Sequence, residues 1–319
     1  MQEKRNSERI GTRQHYVPQF LLRNFADSEG RLRLFDKQTD RVFCASPAKV
    51  AAECGFYDYR NSEGRTDTFE GAMSQLDDQA AEAVAHLVDQ RRVDRLLDEE
   101  RYVLAAFAAA QLVRTPSLRL SVTHTAEELT DKLGRWAKAV QERVDAGDFE
   151  PPFSLSTGEG MSLEQLEQFS ENDARLVSLK LIQHSVPQCA SILLQKWWFL
   201  VAAPEGAAFY CSDNPLLLHN ERQTPFGGLG IGQRGIEIYL PLSSRLTLCM
   251  FSPELAREFR DVDSTTLMEA SESGMEFQNS LQVNRAERFL FCERDDFELV
   301  RRILADHPQY RNGPRGRVL

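Results

Sequence analysis

The sequence predicts an α+β protein in which a mostly antiparallel sheet from the C-terminal half is covered by helices from the N-terminal half. Three features of the chain lead to this prediction. A small β-prone opening is followed by a part with helical periodicity, about residues 67–195, and then by a β-rich part, about residues 196–293. Strands and helices do not alternate as they do in a doubly wound sheet. No internal repeat of fixed period is present.

One domain is expected from residue 13 to residue 305, between a flexible arm at 1–12 and a flexible tail at 306–319. Hydrophobic residues make up 42% of the chain and charged residues 27%, which is ordinary for a globular protein. No run approaches the roughly 18 apolar residues of a membrane span, and the first residues lack a signal-peptide core. Six scattered cysteines without a C-x-x-C pair are typical of reduced thiols. We therefore expect a cytoplasmic protein without a membrane partner.

The first 60 residues are predicted to hold a short helix and a hairpin. Pro18 suits the first turn of a helix, in which Val17, Leu21 and Phe25 stack on one face. Alternating segments at 31–35 and 41–44, separated by a polar turn, predict the hairpin. A short helix from Ser46 to about Gly55 and a strand at 56–59 are expected to follow.

Four helical segments are predicted next. The first is expected at about 67–90, and the second at about 98–114, where Pro116 should end or kink it. The third should end at Gly147, and the fourth should run over about 162–195 with an interruption at 185–187. The breaker-rich segment 151–160 between the last two is predicted to be a mobile loop or lid.

The C-terminal part is predicted to be mainly β. We expect a hairpin of residues 197–202 and 208–211 that presents the segment 212–215 at its end. The other predicted elements are strands at 236–240, 246–251 and 288–292 and helices at 264–284 and 296–305. The glycine-rich segment 227–232 lacks the Lys-Ser/Thr of a phosphate-binding loop and is interpreted as a flap.

His15 is the first candidate site residue. It precedes the predicted N-terminal helix, together with Tyr16, in an extended segment that the packed helix would hold still. The same geometry also suits an ordinary buried segment, and for a lone histidine this alternative is the more common one.

Arg114 is the second candidate. It falls at a position of the helix where the stripe 103, 107, 110 would place an apolar residue, so its guanidinium should point into the buried face. A buried arginine needs an anionic partner, either a ligand anion or a carboxylate of the protein, for example on the helix that carries Glu70. Gln111, three residues earlier, is expected to lie beside it.

Asp213 and Asn214 form the third candidate, because they directly follow an apolar strand and precede Pro215. Strand ends that present a carboxylate beside a carboxamide are frequent catalytic or binding positions. The alternative is an Asx turn, in which the side chain accepts hydrogen bonds from nearby backbone amides. Neither a G-x-S-x-G elbow nor an H-E-x-x-H zinc motif occurs in the chain.

Several of these motifs occur together in one known family. The segment His15-Tyr-x-Pro-x-x-x-Leu-x-x-Phe25, the helical Gln111-x-x-Arg114-Thr, Ser212-Asp-Asn-Pro215 and Pro241-Leu-Ser243 resemble the domain-of-unknown-function 4238 family over about residues 13–293. The resemblance identifies relatives and implies no particular reaction. It groups His15, Arg114 and Asp213 as one constellation, because these residues match its motif positions.

We therefore expect one pocket between the helical and β-rich parts, lined by His15, Arg114, Asp213 and Asn214 as catalytic residues. Its predicted chemistry is hydrolysis or transfer at a phosphate ester, with a nucleic-acid phosphodiester as one candidate substrate. His15 would be the general acid/base, Arg114 would stabilise phosphate charge, and Asp213 would orient His15. The alternative is a sensor or binding module, without catalytic activity, for an anionic small molecule or peptide.

Further residues are assigned to binding. Tyr16, Arg23 and Gln111 are the expected substrate-binding residues. A divalent cation, if one is used, would be held by Asp213 and Glu70. The net charge of −10 excludes non-specific coating of long duplex DNA, whereas a short nucleic acid or a small anion remains a suitable partner. The oligomeric state is left open.

Overall fold

The computed structural model describes residues 10–146, 168–221, 229–258, 265 and 267–313, apart from the side chains of residues 141 and 144. It has an α+β fold, as predicted, with helices grouped mainly in the first part of the chain and strands mainly in the second. The predicted loop at 151–160, the start of the helix expected at 162 and the glycines 227 and 228 lie outside the described residues.

Thirteen strands occur in the described part of the chain. In chain order they are β1 (Arg13–His15), β2 (Leu32–Asp36), β3 (Arg41–Ala45), β4 (Ala52–Cys54), β5 (Asp58–Arg60), β6 (Thr66–Thr68), β7 (Trp197–Ala202), β8 (Cys211–Ser212), β9 (Leu217–His219), β10 (Glu237–Ser243), β11 (Leu246–Phe251), β12 (Leu267–Glu269) and β13 (Phe289–Cys292).

The α-helices of the described residues are α1 (Gln19–Arg23), α2 (Glu70–Gln90), α3 (Asp98–Val113), α4 (Pro116–Asp145), α5 (Glu171–Leu194), α6 (Glu272–Arg285) and α7 (Glu298–Asp306). Helix α3 lies at the centre of the helical part, since it packs against both α2 and α5. All ten residues from Leu104 to Val113 are buried. In the described part of the chain, no helix is both long enough and apolar enough to cross a membrane.

The strands form two main sheets rather than the single sheet that the sequence suggests. One has the order β12-β7-β11-β10-β9 and is antiparallel except for the β12–β7 pair. The other has the order β3-β2-β13-β8 and is antiparallel throughout. Two smaller pairs, β1–β4 and β5–β6, complete the pattern. The N-terminal hairpin β2–β3 is thus joined to a C-terminal strand.

Two of the predicted β elements are wrong. The hairpin of residues 197–202 and 208–211 does not form, because β7 pairs with β11 and β12 whereas β8 pairs with β13. The backbone N–H of Phe209 instead donates to the carbonyl of Ser244 at 2.9 Å. The helix expected from Ser46 ends after one 3-10 turn, Pro47–Lys49, because Ala51 has a φ of 49°.

Two predicted helices also differ from the structure. Within the helix expected at 264–284, residues 267–269 form β12 instead, and residues 264 and 266 lie outside the described residues. Helix α6 begins only after Ser271, whose hydroxyl oxygen accepts from the N–H of Gly274 at 3.1 Å. Helix α5 is continuous through Pro187, although the sequence predicts an interruption there. Proline removes one backbone donor, and the helix is held on both sides of it by packing against α3.

The first and last described residues contact the fold. The N–H of Gly11 donates to Asp58 Oδ2 at 2.7 Å. Near the other end a 3-10 turn, Pro308–Arg311, places the guanidinium of Arg311 2.7 Å from Asp40 Oδ2 in the β2–β3 turn. Part of both predicted flexible ends, residues 10–12 and 306–313, therefore belongs to the folded structure.

Candidate functional site

Two of the motif segments, those of Tyr16 and Asp213, and the start of α4 come close to Glu287, a residue that lies outside the motifs. Glu287 lies between α6 and β13. Tyr16 follows β1, Ser117 lies in the first turn of α4, and Asp213 follows β8. We call this group, together with Glu53 and Arg119, the Glu287 site.

Asp213 links the segment after β8 to the start of β13. Its Oδ1 accepts from the N–H of Glu287 at 2.7 Å, and its Oδ2 accepts from the N–H groups of Arg288 and Phe289 at 2.8 Å each. The side chain is therefore a long-range backbone acceptor and not the local Asx-turn acceptor of the alternative interpretation. In that turn the acceptor is Ser212 Oγ, which binds the N–H of Asn214 at 3.1 Å.

The carboxyl group of Glu287 is buried near Asp213, and burial raises the pKa of both acids. Oε1 of Glu287 accepts from the N–H of Ser117 at 2.8 Å, at the N-terminus of α4. Burial, followed by the charge of Asp213, raises the pKa of Glu287 to about 7. For Asp213, its three backbone N–H donors and the charge of Lys37 oppose the rise of the pKa. Two buried carboxylates so close together cannot both be charged without a large cost.

Tyr16 is close enough to this pair to be affected by its charge. Burial, and then the charges of Asp213 and Glu287, raise the pKa of the Tyr16 phenol, so its hydroxyl stays protonated at neutral pH. Its ring packs against Phe56, with 5.3 Å between the ring centroids.

Arg119 adds a cation next to these groups. Its guanidinium lies 4.9 Å from the centroid of the Phe56 ring, and its Nη2 donates to Glu53 Oε2 at 2.7 Å. The other terminal nitrogen, Nη1, is buried and has no hydrogen-bond partner among the described residues. A buried donor without a partner is costly, and a ligand oxygen would satisfy it.

His15 has a different environment from Tyr16. Its Nε2 is buried and lacks a hydrogen-bond partner in the described part of the chain. Burial lowers the pKa of His15, the charges of Arg13 and Arg23 act in the same direction, and the carbonyls of Pro47 and Ala48 oppose them. None of the hydrogen bonds that Asp213 makes to described residues goes to His15. Asp213 is therefore not hydrogen-bonded to His15 and does not orient it as predicted.

Arg114 points into the buried face of α3, as its position in the apolar stripe predicts. Its Nη1 donates to Asp77 Oδ1 at 2.7 Å, and the side chain is 0% exposed. With its amide oxygen turned towards Arg114, Gln111 accepts from Nε at 2.9 Å and from Nη2. Arg114 also hydrogen-bonds the Tyr57 hydroxyl, which in turn donates to the carbonyl of His15 at 3.1 Å. The structure therefore gives Arg114 a salt-bridge partner on α2, the helix that carries Glu70, and this partner is Asp77.

The remaining predicted residues lie in separate places. Asn214 is buried beside Asp213. Arg23 is exposed, and its Nη2 donates to Gln19 Oε1 at 3.1 Å. Glu70 begins α2, where its N–H donates to Thr68 Oγ1 at 3.3 Å. No group of three or more His, Cys, Asp or Glu side chains is placed to hold a metal ion within the described ranges.

Glu287, Ser117 and Arg119 were missed because each lies just outside a recognised pattern. Glu287 stands in the polar segment before the predicted strand at 288, and Ser117 directly follows the helix break at Pro116. A carboxylate that follows a predicted strand, as Asp213 does, is a recognised sign of a site, whereas a carboxylate that precedes a strand is not. The weak signal was a charged residue in a short connection between two apolar elements.

Comparison with known proteins identifies the family. The model of the family described as "Protein of unknown function (DUF4238)" matches residues 13–296. The chain belongs to the DUF4238 family. The match includes every residue of the Glu287 site and confirms the resemblance seen in the motifs. Neither the curated proteins nor the solved structures provide a match.

Proposed function

We propose that this DUF4238 protein is a hydrolase of phosphate esters in which Glu287 is the general acid/base. The observation that carries the proposal is a carboxyl group with a pKa of about 7, which accepts from the N–H of Ser117 and is near enough to Tyr16 for its charge to raise the pKa of that phenol. General acid–base catalysis is most efficient when the pKa of the group is near the working pH. In this proposal Glu287 is the general acid/base, the role that the sequence predicts for His15.

Each step of the reaction conserves protons. Glu287 in its protonated form donates its proton to the leaving oxygen as the P–O bond breaks. Water attacks phosphorus, and the proton that it releases returns to the carboxylate of Glu287. The hydroxyl of Tyr16 remains a hydrogen-bond donor throughout, because its pKa is raised.

The phosphate group is bound by positive charge at the start of α4. Nη1 of Arg119 has no partner among the described residues, and the N-terminus of a 30-residue helix favours negative charge. A divalent cation at Asp213 is not part of this proposal, because both of its oxygens already accept backbone hydrogen bonds. The proposed setting is the cytoplasm, which six free cysteines support.

A panel of phosphate monoesters, diesters and short oligonucleotides, assayed with and without Mg²⁺ or Mn²⁺, tests the proposal. Glu287→Gln should lower kcat by a factor of about 10² to 10⁴, because the amide cannot transfer the proton. Glutamine resembles the protonated acid and can still accept from Ser117, so the variant should fold. Glu269→Gln, an exposed residue of β12, is the matched control. Full activity of Glu287→Gln would refute the role of Glu287.

The second candidate function is an anion-binding module without catalysis. The buried Nη1 of Arg119, which has no hydrogen-bond partner among the described residues, favours it, since a bound anion would accept from this nitrogen. Calorimetric titration with nucleoside monophosphates and acidic peptides distinguishes the two functions. If the protein is a binding module, the wild type should hydrolyse no compound of the panel, and Arg119→Ala should lose affinity for the anion. If it is a hydrolase, Glu287→Gln should lose turnover but still bind the ligand.

A further inference from the structure

The second half of α4 has an apolar stripe that the described fold leaves uncovered. Leu129 and Trp136 are 44% and 51% exposed, and Ala126 is the last buried residue among the α4 side chains that the structure describes. The apolar residues recur at alternating spacings of three and four, which is the pattern of a coiled-coil seam. They are Ala126, Leu129, Leu133, Trp136 and Val140.

The charges around this stripe are divided between its two ends. Residues 127–131 contain three acidic and no basic side chains, whereas residues 132–138 contain three basic and no acidic ones. Two ion pairs within the helix, Lys132–Glu128 and Arg135–Asp131, join the two groups at 3.1 and 2.8 Å. Exposed pairs of this kind contribute only a few tenths of a kcal/mol, so the separated charges can still select a partner.

A second copy of the same helix complements these charges in one orientation. When two copies run antiparallel, the acidic end of each faces the basic end of the other. When they run parallel, like charges face each other along the whole segment. The apolar residues alternate along the same stretch, so a two-fold axis would bury Leu129 and Trp136 of both copies at once.

We propose that residues 126–140 of α4 pair with the same segment of a second chain, antiparallel, and that the protein is a homodimer through this contact. The segment is about 22 Å long at 1.5 Å per residue. Trp136, a large aromatic side chain near its basic end, is the expected main contributor, because such residues dominate interface energies. The contact is independent of the Glu287 site.

Light scattering of the full chain after gel filtration, between about 1 and 100 µM, tests the proposal. The wild-type chain should approach twice its mass of 36.3 kDa. Leu129→Glu and Trp136→Glu should weaken association at least tenfold, because each buries a charge at the contact. Leu120→Glu is the matched control, since Leu120 is 65% exposed and lies on the opposite side of the same helix. A wild-type monomer at 100 µM, or an undiminished dimer of Trp136→Glu, would overturn the proposal.

An exchange of the charged groups tests the orientation. In this variant Glu127, Glu128 and Asp131 become Lys, and Lys132, Arg135 and Lys138 become Glu. Antiparallel pairing predicts that the exchanged chain forms homodimers but does not mix with the wild-type chain. Heterodimers with the wild-type chain in preference to homodimers would show parallel pairing and contradict the proposal. Circular dichroism of every variant confirms that the helix content is retained.

Discussion

Asp213 and Glu287 show how two neighbouring buried carboxyl groups acquire different environments. Asp213 accepts three backbone hydrogen bonds, which oppose the rise of its pKa by burial, whereas Glu287 accepts one from Ser117 and its pKa rises to about 7. Sequence reasoning located Asp213 from the strand before it. It could not locate Glu287, because the pairing of β8 with β13 brings the two together across more than seventy residues.

The first prediction concerns the pH dependence of stability. The folded-state pKa of Glu287 is raised from 4.5 to about 7, so the folded protein binds more protons than the unfolded chain between these values. The free energy of unfolding should therefore fall as the pH rises from about 4.5 to 7, by up to about 3 kcal/mol. Urea melts at several pH values should show a flatter profile for Glu287→Gln. An unchanged profile would contradict the raised pKa.

The second prediction concerns Asp213→Asn. An asparagine offers one acceptor oxygen to three backbone N–H groups, and its own NH₂ would face donors. We expect the free energy of unfolding to fall by about 2–3 kcal/mol. Asp295→Asn, at an exposed position, is the control and should leave stability unchanged. Thermal and urea melts measure both variants, and an equally stable Asp213→Asn would show that the carboxylate is dispensable.

The third prediction concerns Arg114. Its removal leaves Asp77 and Gln111 buried without their partner, so Arg114→Ala should lower the free energy of unfolding by about 3–5 kcal/mol. Ligand binding by the fraction that remains folded should be unchanged. An Arg114→Ala protein that is as stable as the wild type but has lost affinity for the ligand would show that Arg114 binds the ligand, as the sequence predicts. The sequence predicted the burial of Arg114 and gave the helix that carries Glu70 as one possible source of its partner, but it did not identify Asp77, because this requires the rotation of α2.

At the scale of elements, local patterns were more informative than pairings. The ranges of α3 and of the β2–β3 hairpin were predicted closely, because periodicity and turn residues determine them locally. The hairpin expected from β7 failed, because its strand partner depends on residues almost fifty positions later in β11. The Glu287 site depends on such distant pairings and was only partly predictable for the same reason.

Helix α5 provides the prediction at this scale. Pro187 lies inside the helix with an exposed side chain, so replacement by alanine restores a backbone donor without leaving a cavity. We expect Pro187→Ala to raise the free energy of unfolding by about 1–3 kcal/mol, as measured by urea denaturation. A loss of stability would mean that packing of α5 against α3 depends on the backbone conformation that Pro187 imposes.

For the whole molecule, the net charge of −10 restricts contact with nucleic acids to a local patch. In the proposed function, Arg119 would bind one or two phosphates. Binding of a short oligonucleotide should therefore weaken with salt, with a slope that corresponds to about one to three released counterions. Fluorescence anisotropy over a salt series measures this slope. Tight binding that increases with the length of a duplex would contradict the prediction.

The position of β2 between β3 and β13 has a consequence for biosynthesis. The hairpin β2–β3 leaves the ribosome early, but its partner strand is about 250 residues further along the chain. At translation rates of about 5–20 residues per second, the unpaired edge of β2 waits on the order of 10 to 50 s. During that time it is an exposed template for pairing with other chains. A nascent chain of this protein should therefore depend on chaperones until its last strand has emerged.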